Sequence, residues 1–285
     1  ERENIPENWE NIFSGAGINH LLAISGLHVG FLVLILNYFL KLFLIPPGIK
    51  KLFMSFFLIV FIIITGSSAS VLRAGLVSMI YIWGSYLDRD RNFLNILGLC
   101  LLISLFINPY LLFTPGLQLS YSVLLVIILW TPLISSWIHN KTLATSLAAQ
   151  MGSIPISAFY FNEISPAGII SNLWAIPLAG IVVFNSILGS ITGLIFFPAA
   201  KISGKIAENL LWIMKKATAL MNYMPFSGVE IFSPGPGLLI SFYIVLLFVP
   251  GCFKKKALFF NKNKQKIKIY YILLIVILIF FLTWV

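Results

Sequence analysis

The stretch His20-Leu-Leu-Ala-Ile-Ser-Gly-Leu-His-Val-Gly30 opens the first long apolar run of the chain, which continues to about residue 45. Two histidines, a serine and two glycines are unusual at the start of a segment with the composition of a membrane helix, because the bilayer interior offers no water to satisfy polar groups. A segment that served only as an anchor would have no use for them. The stretch therefore indicates a function for this end of the helix.

The spacing within the stretch narrows what these residues can do. On one continuous helix Gly26 and Gly30 share a face, where they would let another backbone come close, and Ser25 can bond back to its own helix. His20 and His28 would lie about 12 Å apart along the axis, too far to bind one metal ion from a single helix. Two interpretations stay open: the rings are satisfied by neighbouring helices, or they line a cavity or pore.

Composition sets the class of protein. The 285 residues are 59% hydrophobic and 10% charged, with a mean hydropathy of +0.99, whereas a soluble domain carries about 25% charged residues. Apolar stretches close to or above the length of a membrane span recur along the whole chain. We therefore predict an all-α, polytopic transmembrane bundle with about eight to ten membrane segments.

Proline, glycine and charged residues divide the chain into elements. Helices are predicted at about residues 20–44, 52–66, 70–87, 93–107, 117–135, 142–162, 237–253 and 268–285. The small and polar residues of 142–162 suit a helix buried among other helices or facing water.

Three segments depart from simple apolar helices. The stretch 166–197 is too long for one span and is punctuated by proline and glycine, which predicts a broken or re-entrant element. At 199–224 lysines alternate with apolar residues at helical spacing, which predicts an interfacial amphipathic helix. Residues 1–19 form an acidic extramembrane lead, with Trp9 and Phe13 as interfacial side chains.

The ends and the charges suggest how the chain is placed. It begins with Glu1 and ends inside an apolar run, so we interpret it as a piece excised from a longer protein, with residues 20–285 as one transmembrane domain. The net charge is +10, and the lysine-rich run 254–268 is typical of a cytoplasmic loop. A contact with nucleic acid is the alternative for that run. The number of membrane crossings within 166–236 stays open.

Arg73 is a charged residue inside an apolar segment, close to the start of the third predicted helix. An intramembrane arginine faces the protein interior or a water path and finds a partner there. As a functional group it would be a fixed positive charge that binds phosphate oxygens two at a time. The alternative is an arginine that extends to the membrane interface.

Further polar side chains could join Arg73. Each of the amides is more often a helix–helix hydrogen bond than a substrate contact, but together the polar residues could line one path through the bundle. The set comprises His20, Ser25, His28, Arg73, Gln118, Gln150 and Asn172. The sequence has no phosphate-binding P-loop, no dinucleotide fingerprint and no nucleophile elbow, and its nine acidic residues stand mostly in loops. We therefore predict no catalysis, no metal and no cofactor for this chain.

The stretch 20–30 resembles the signature of the ComEC competence-protein family. Further blocks resemble the family's patterns, and these are Ser70-Val-Leu-Arg-Ala-Gly75, Pro115-Gly-Leu-Gln-Leu-Ser120, Ala149-Gln150 and Ser171-Asn-Leu. The resemblance covers nearly the whole chain. It implies a multi-pass channel domain in the bacterial cytoplasmic membrane that passes one strand of incoming DNA.

The resemblance also implies partners: single-stranded DNA, membrane lipid, a cytoplasmic motor or strand-binding protein and an outer DNA receptor. It leaves a homo-oligomer open. Nuclease activity of relatives would belong to a C-terminal domain that is not visible here. Two other classes of function stay open. One is a transporter of a small anionic solute that uses Arg73 and the 166–197 region, and the other is an intramembrane metal-dependent hydrolase built on His20 and His28.

Overall fold

The computed structural model describes residues 7–84, 92–194, 196–224 and 227–253, and this part of the chain is almost entirely helical. The α-helices are α1 (Glu7–Gly15), α2 (Gly26–Leu42), α3 (Pro47–Ile64), α4 (Ala69–Gly84), α5 (Phe93–Ile107), α6 (Pro115–Ile138), α7 (Lys141–Phe161), α8 (Gly168–Gly193), α9 (Phe197–Met221) and α10 (Pro236–Phe253). Two 3₁₀ helices, Asn19–Leu21 and Pro109–Phe113, and two short strands, β1 (Glu163–Ile164) and β2 (Val229–Glu230), complete the described elements. The predicted all-α class is confirmed.

The helices have the lengths and surfaces of a membrane protein. Within the described residues, α3, α6 and α8 are each long and apolar enough to cross a bilayer, and α2, α4, α5 and part of α10 are shorter apolar helices. Large apolar side chains are widely exposed, for example Leu44 at 90% and Phe106 at 93%. Such exposure would be costly in water and is expected where lipid covers the surface.

Local signals explain several helix boundaries. The side chain of Asn92 accepts a hydrogen bond from the N–H of Leu94 and caps the start of α5. Asn140 caps α7 in the same way, and His139 before it takes a left-handed conformation that ends α6. Side-chain oxygens at helix starts satisfy N–H groups that have no partner within the helix. The predicted boundaries of α5 are therefore confirmed, and those of α6 and α7 hold to within three residues.

The chain divides into two compact units. Unit 1 comprises Glu1–Leu87 and Ser165–Gly228, and unit 2 comprises Asp88–Ile164 and Val229–Val285. In unit 1, one core joins α1, the first 3₁₀ helix, α8 and α9, and it contains Phe13, Ala16, Ile18, Leu21, Ala175, Ala179 and Met214. A second core joins α2, α3 and α4, and it contains Val29, Leu32, Leu40, Met54, Leu58, Val71 and Ile82.

Unit 2 is built on close packing between α6 and α7. A methyl group added at Gly152 of α7 would lie 2.9 Å from the Cα of Val123 of α6. The hydroxyl of Tyr243, on α10, donates a hydrogen bond of 2.8 Å to the carbonyl oxygen of Gly152. The small residues of 142–162 thus belong to a helix packed against two others, as their composition predicts.

The predicted break in 166–197 is wrong, because α8 is one continuous helix of 26 residues that includes Pro177. Its glycines serve packing. A methyl group added at Gly180 would lie 3.0 Å from the ring of Phe31, and one at Gly193 would lie 2.7 Å from the Cβ of Ala200 on α9. Glycine allows close helix contacts as readily as it allows turns, and the local sequence does not separate these uses.

Other predictions differ in detail or cannot be compared. Phe13 is 2% exposed in the first core of unit 1, so it is a core residue and not an interfacial one. The helix predicted at 199–224 is confirmed as α9 and is amphipathic, whereas its interfacial position stays a prediction. The lysine run 254–268 and the helix predicted at 268–285 lie outside the described residues.

Candidate functional site

The signature stretch does not form one helix, because Ser25 caps α2 and sets its start at Gly26. The N–H of Leu27 donates to the Ser25 hydroxyl oxygen at 3.3 Å, and the backbone N–H of Ser25 donates to Nδ1 of His28 at 3.2 Å. This reciprocal pair is a capping box in which histidine takes the place usually held by Glu or Gln. The sequence-based start at His20 is therefore wrong, and the two histidines stand on different elements.

The cap fixes the chemical state of the His28 ring. Nδ1 accepts a hydrogen bond from a backbone N–H, so it carries no proton while the cap is intact. The ring hydrogen of the neutral imidazole is then on Nε2. His28 thus holds the helix start with one nitrogen and offers an N–H donor with the other.

His20 lies on the 3₁₀ helix Asn19–Leu21, before α2. The residue is exposed. Desolvation by the protein atoms around its ring lowers the pKa of His20 to about 4, with a smaller contribution from His28. The spacing of about 12 Å for two rings on one helix does not apply, because His20 and His28 lie on different elements.

The arginine block of α4 packs against the start of α2. The Ser70 hydroxyl donates to the carbonyl oxygen of Ile24 at 3.3 Å. A methyl group added at Gly26 would lie 3.1 Å from the Cβ of Ala74. Arg73, half-buried, stands between these two contact residues in the chain. Two motifs more than 40 residues apart in sequence thus form one neighbourhood.

Helix α8 brings a third motif to the same end of unit 1. Ile18 and Leu21, which flank Asn19 and His20, share a core cluster with Ala175 of α8. Asn172 is one helical turn before Ala175 and lies on the same face. The contact is tight further along as well, since a methyl group added at Gly17 would lie 2.8 Å from the Cα of Gly168.

The N-termini of α2 and α4 therefore meet at Ile24 and Ser70, and the first turns of α8 pack against residues 17–21, just before them in the chain. Each helix N-terminus carries the equivalent of about half a positive charge, and Arg73 adds a full one. Positive charge at helix starts attracts phosphate and other anions even where a cap already satisfies the first N–H groups, as Ser25 does for Leu27. The starts of α2 and α4 together with Arg73 therefore form a positively charged neighbourhood, with His20 and His28 next to it in the chain.

Several oxygen atoms at this end have no hydrogen-bond partner among the described residues, although they are buried. They are Oδ1 of Asn19, Oγ of Ser171 and Oδ1 of Asn172. Buried polar groups are nearly always paired, and an ordered buried water is the usual partner of such acceptors. Sequence reasoning missed Asn19 and Ser171. The available signal was their position directly beside His20 and Asn172.

Gln118 and Gln150 belong to unit 2, whereas the other candidate residues belong to unit 1. Gln118 is 8% exposed, and its amide nitrogen donates to the carbonyl oxygen of Leu112 at 3.1 Å, which closes the turn before α6. Gln150 is half-buried on α7. The structure gives Gln118 a structural contact, and the proposed part of both amides in a single polar path stays a prediction.

The two glycines of the signature differ in their surroundings. Gly26 has the close contact with α4, whereas a methyl group added at Gly30 would meet no described atom within 4 Å. In the described ranges, no three side chains of His, Cys, Asp or Glu gather in a group that could hold a metal ion.

Comparison with known proteins gives a consistent picture. The family profile described as Competence protein matches residues 1–256. The chain is 29% identical over 250 residues to "ComE operon protein 3" of Bacillus subtilis (strain 168), a match that covers 85% of this chain and 32% of that protein. It is 28% identical over 216 residues to an "Uncharacterized protein" of Aquifex aeolicus (strain VF5), covering 74% of this chain and 50% of the relative. The chain thus spans a third to a half of these relatives. No solved structure matches.

Proposed function

Since this chain belongs to the Competence protein family, we propose that it is the membrane part of a DNA-uptake system and forms the passage through which one DNA strand crosses the bacterial cytoplasmic membrane. The protein is multi-pass in this proposal, and the strand crosses as a polyanion in water. Catalysis is not assigned to this chain. A motor or strand-binding protein in the cytoplasm supplies the driving force for transport, and an outer receptor delivers the DNA.

One observation carries the proposal: the N-termini of α2 and α4 meet at the arginine block that contains Arg73, and the first turns of α8 pack against residues 17–21 of the same unit. A strand of DNA presents a phosphate at every nucleotide, and phosphate is attracted to helix N-termini and to guanidinium groups. The site is partly exposed, so it attracts without enclosing the ligand. Weak binding at an open site is what conduction requires, because a transported group must also leave.

The histidines suit the bases more than the phosphates, whereas the oxygens of Asn19, Ser171 and Asn172 are buried and lie behind the exposed surface. The Nε2–H of His28 is a neutral donor. A mixed lining of fixed positive charge and neutral polar groups supports passage of a strand regardless of its base sequence.

The test uses the full-length protein in a transformable bacterium whose own competence-family gene is deleted. Arg73→Ala should lower uptake of labelled DNA into the cytoplasm at least about tenfold, because a fixed charge in a low-dielectric setting contributes more than about 1.4 kcal/mol. Binding of DNA outside the cell should persist. Arg73→Lys should restore part of the uptake. The neighbouring and exposed Leu72 supplies the matched control, Leu72→Ala, at equal membrane expression.

His28 needs a variant that separates capping from transport. His28→Gln keeps an acceptor for the N-cap, because Gln is a usual residue at this position of a capping box. It removes the imidazole ring. If uptake falls in His28→Gln while the melting temperature stays, the ring takes part in passage. Normal uptake in both Arg73→Ala and His28→Gln would show that these residues serve helix packing and take no part in transport.

The same cells test the other two classes. Excess inorganic phosphate should leave DNA uptake unchanged. Inhibition of DNA uptake by phosphate would instead favour a transporter of small anions. An intramembrane metal-dependent hydrolase would carry bound metal after purification, which elemental analysis detects.

A further inference from the structure

Helices α8 and α9 form an antiparallel pair along their whole length. At one end, a methyl group added at Gly193 would lie 2.7 Å from the Cβ of Ala200. Next to it, the Nδ2 amide of Asn185 donates to the carbonyl oxygen of Ser203 at 2.7 Å, and the Ser203 hydroxyl donates back to the carbonyl oxygen of Asn185 at 2.8 Å. At the other end, Met214 packs against Ala175 and Ala179. The axes of the two helices therefore run side by side.

This pairing decides how α9 can be oriented. Helix α8 has the length and composition of a membrane span. If α8 crosses the bilayer, α9 crosses beside it, because two helices in contact over about 25 residues cannot lie one along and one across the membrane. The lysines of α9 are then distributed through the depth of the bilayer instead of along its surface.

Three lysines and one tryptophan of α9 share one narrow sector of the helix. At 100° per residue, four side chains fall within about 60° of the helix circumference, on the side opposite the buried Met214 and Thr218. We name them the lysine stripe: Lys201, Lys205, Trp212 and Lys216. All four are exposed.

Contacts within the stripe orient its groups. The Nζ of Lys216 lies 5.6 Å from the ring centre of Trp212. Lys205 pairs with Glu208 at 2.9 Å, and both side chains are 67% exposed. Lys215 is apart from the stripe, with its Nζ 4.3 Å from the ring centre of Trp9 of α1.

Lipid is a poor neighbour for this face. Lysines near a helix end can extend to the interface, but Glu208 and Asn209 stand at the midpoint of α9 and are exposed. Exposed charged and amide groups at mid-bilayer are costly and mark water-filled or protein-lined surfaces. The lysine stripe therefore requires a polar occupant, and its charge requires an anionic one.

We propose that the lysine stripe is a contact surface for a single DNA strand, with lysine ammonium groups on phosphates and the indole of Trp212 stacked on bases. An aromatic face between cationic side chains is the arrangement by which proteins hold single strands without sequence preference. The inference rests on the proposed function and adds a second contact surface, on a helix that the arginine site does not include.

A photo-cross-linking residue placed at position 212 of the full-length protein tests this directly. During uptake of labelled DNA in the deletion strain, position 212 should cross-link to the DNA. The matched control position is Ile181, an exposed apolar residue of α8, which should cross-link to lipid. Cross-links from position 212 to lipid, to a protein or to nothing while uptake proceeds would overturn the inference.

Charge variants give an independent readout. The double variant Lys205→Gln and Lys216→Gln should lower uptake about tenfold, Lys→Arg at both positions should restore it, and Glu208→Gln should leave uptake equal or higher, because it removes a negative charge beside the stripe. Equal uptake in the wild type and in the double Gln variant would sink the inference and leave the arginine site untouched. If the wild-type protein itself fails to restore uptake, the proposed function has failed.

Discussion

The indole N–H of Trp130 donates a hydrogen bond of 2.8 Å to the backbone carbonyl oxygen of Leu246. Leu246 is four residues before Pro250 in α10, and proline has no N–H to give to the carbonyl one turn earlier. In hydrocarbon that carbonyl would have no water either. A tryptophan of α6 therefore supplies the bond that α10 cannot make for itself.

The hydrogen bond between Trp130 and Leu246 predicts that a second substitution restores stability lost in the first. Trp130→Phe should destabilise the protein by about 1–3 kcal/mol, because it leaves a buried acceptor without a partner. Adding Pro250→Ala should recover most of the loss, since alanine at that position donates its own N–H to Leu246. Thermal unfolding of the purified protein in detergent measures both. If Pro250→Ala lowers stability equally in the wild type and in Trp130→Phe, the two residues are not coupled in this way.

The N-cap of α2 predicts a second effect. Ser25→Ala should destabilise the protein by about 1 kcal/mol, because it removes the acceptor for the N–H of Leu27. Ser25→Asn keeps a capping oxygen and should stay close to the wild type. Melting temperatures compare the three proteins. A Ser25→Ala protein as stable as the wild type would show that the helix start is held by packing alone.

Two glycine substitutions should differ in their effect on the stability of the protein. Gly17 has a φ of +71°, and its added methyl group would meet the backbone of Gly168, so Gly17→Ala should destabilise the protein by more than about 1 kcal/mol. At Gly48, in the first turn of α3, the methyl group would meet no described atom within 4 Å. Gly48→Ala should be neutral or slightly stabilising. Thermal unfolding in detergent measures the two variants, and equal effects would contradict the positions described for these backbones.

His20 predicts a dependence of stability on pH. The pKa of His20 is about 4 in the folded protein, whereas an imidazole in the unfolded chain has a pKa of 6.5. Between these values the unfolded chain binds a proton that the folded protein does not. Stability should therefore fall as the pH is lowered from about 6.5 to 4. His20→Asn should flatten this part of the profile. Melting temperatures between pH 4 and 8 measure the slope, and an unchanged slope in the variant would assign it to other groups.

The apolar periodicity was sufficient for the class of fold and for most helices. The boundaries of α5 follow from a run of apolar residues closed by Asn92 and by the Asn108-Pro109 pair, which are local signals. The predicted start of α2 at His20 is too early because Leu21 and Leu22 continue the apolar run beyond the cap at Ser25. The signal that corrects it, a serine three residues before a side-chain acceptor, was present as Ser25 and His28.

The site was predictable in its parts and not in its arrangement. Arg73 and the signature stretch stand out in sequence because they place polar groups in apolar segments. Their contact through Ser70 and Ile24 is a pairing of helices, which no local pattern encodes. The glycines of α8 show the same limit, since Gly180 could signal a break or a close contact until its neighbour Phe31 is known.

Strands β1 and β2 are short, yet their pairing constrains the whole segment between them. Glu163 lies opposite Glu230, and Ile164 lies opposite Val229, so the chain leaves and re-enters the α8–α9 hairpin at one point. Both ends of residues 165–228 are consequently held next to each other. In the proposed multi-pass arrangement, a segment tied together at its two ends would cross the bilayer an even number of times, like an insertion that leaves the sidedness of the flanking chain unchanged.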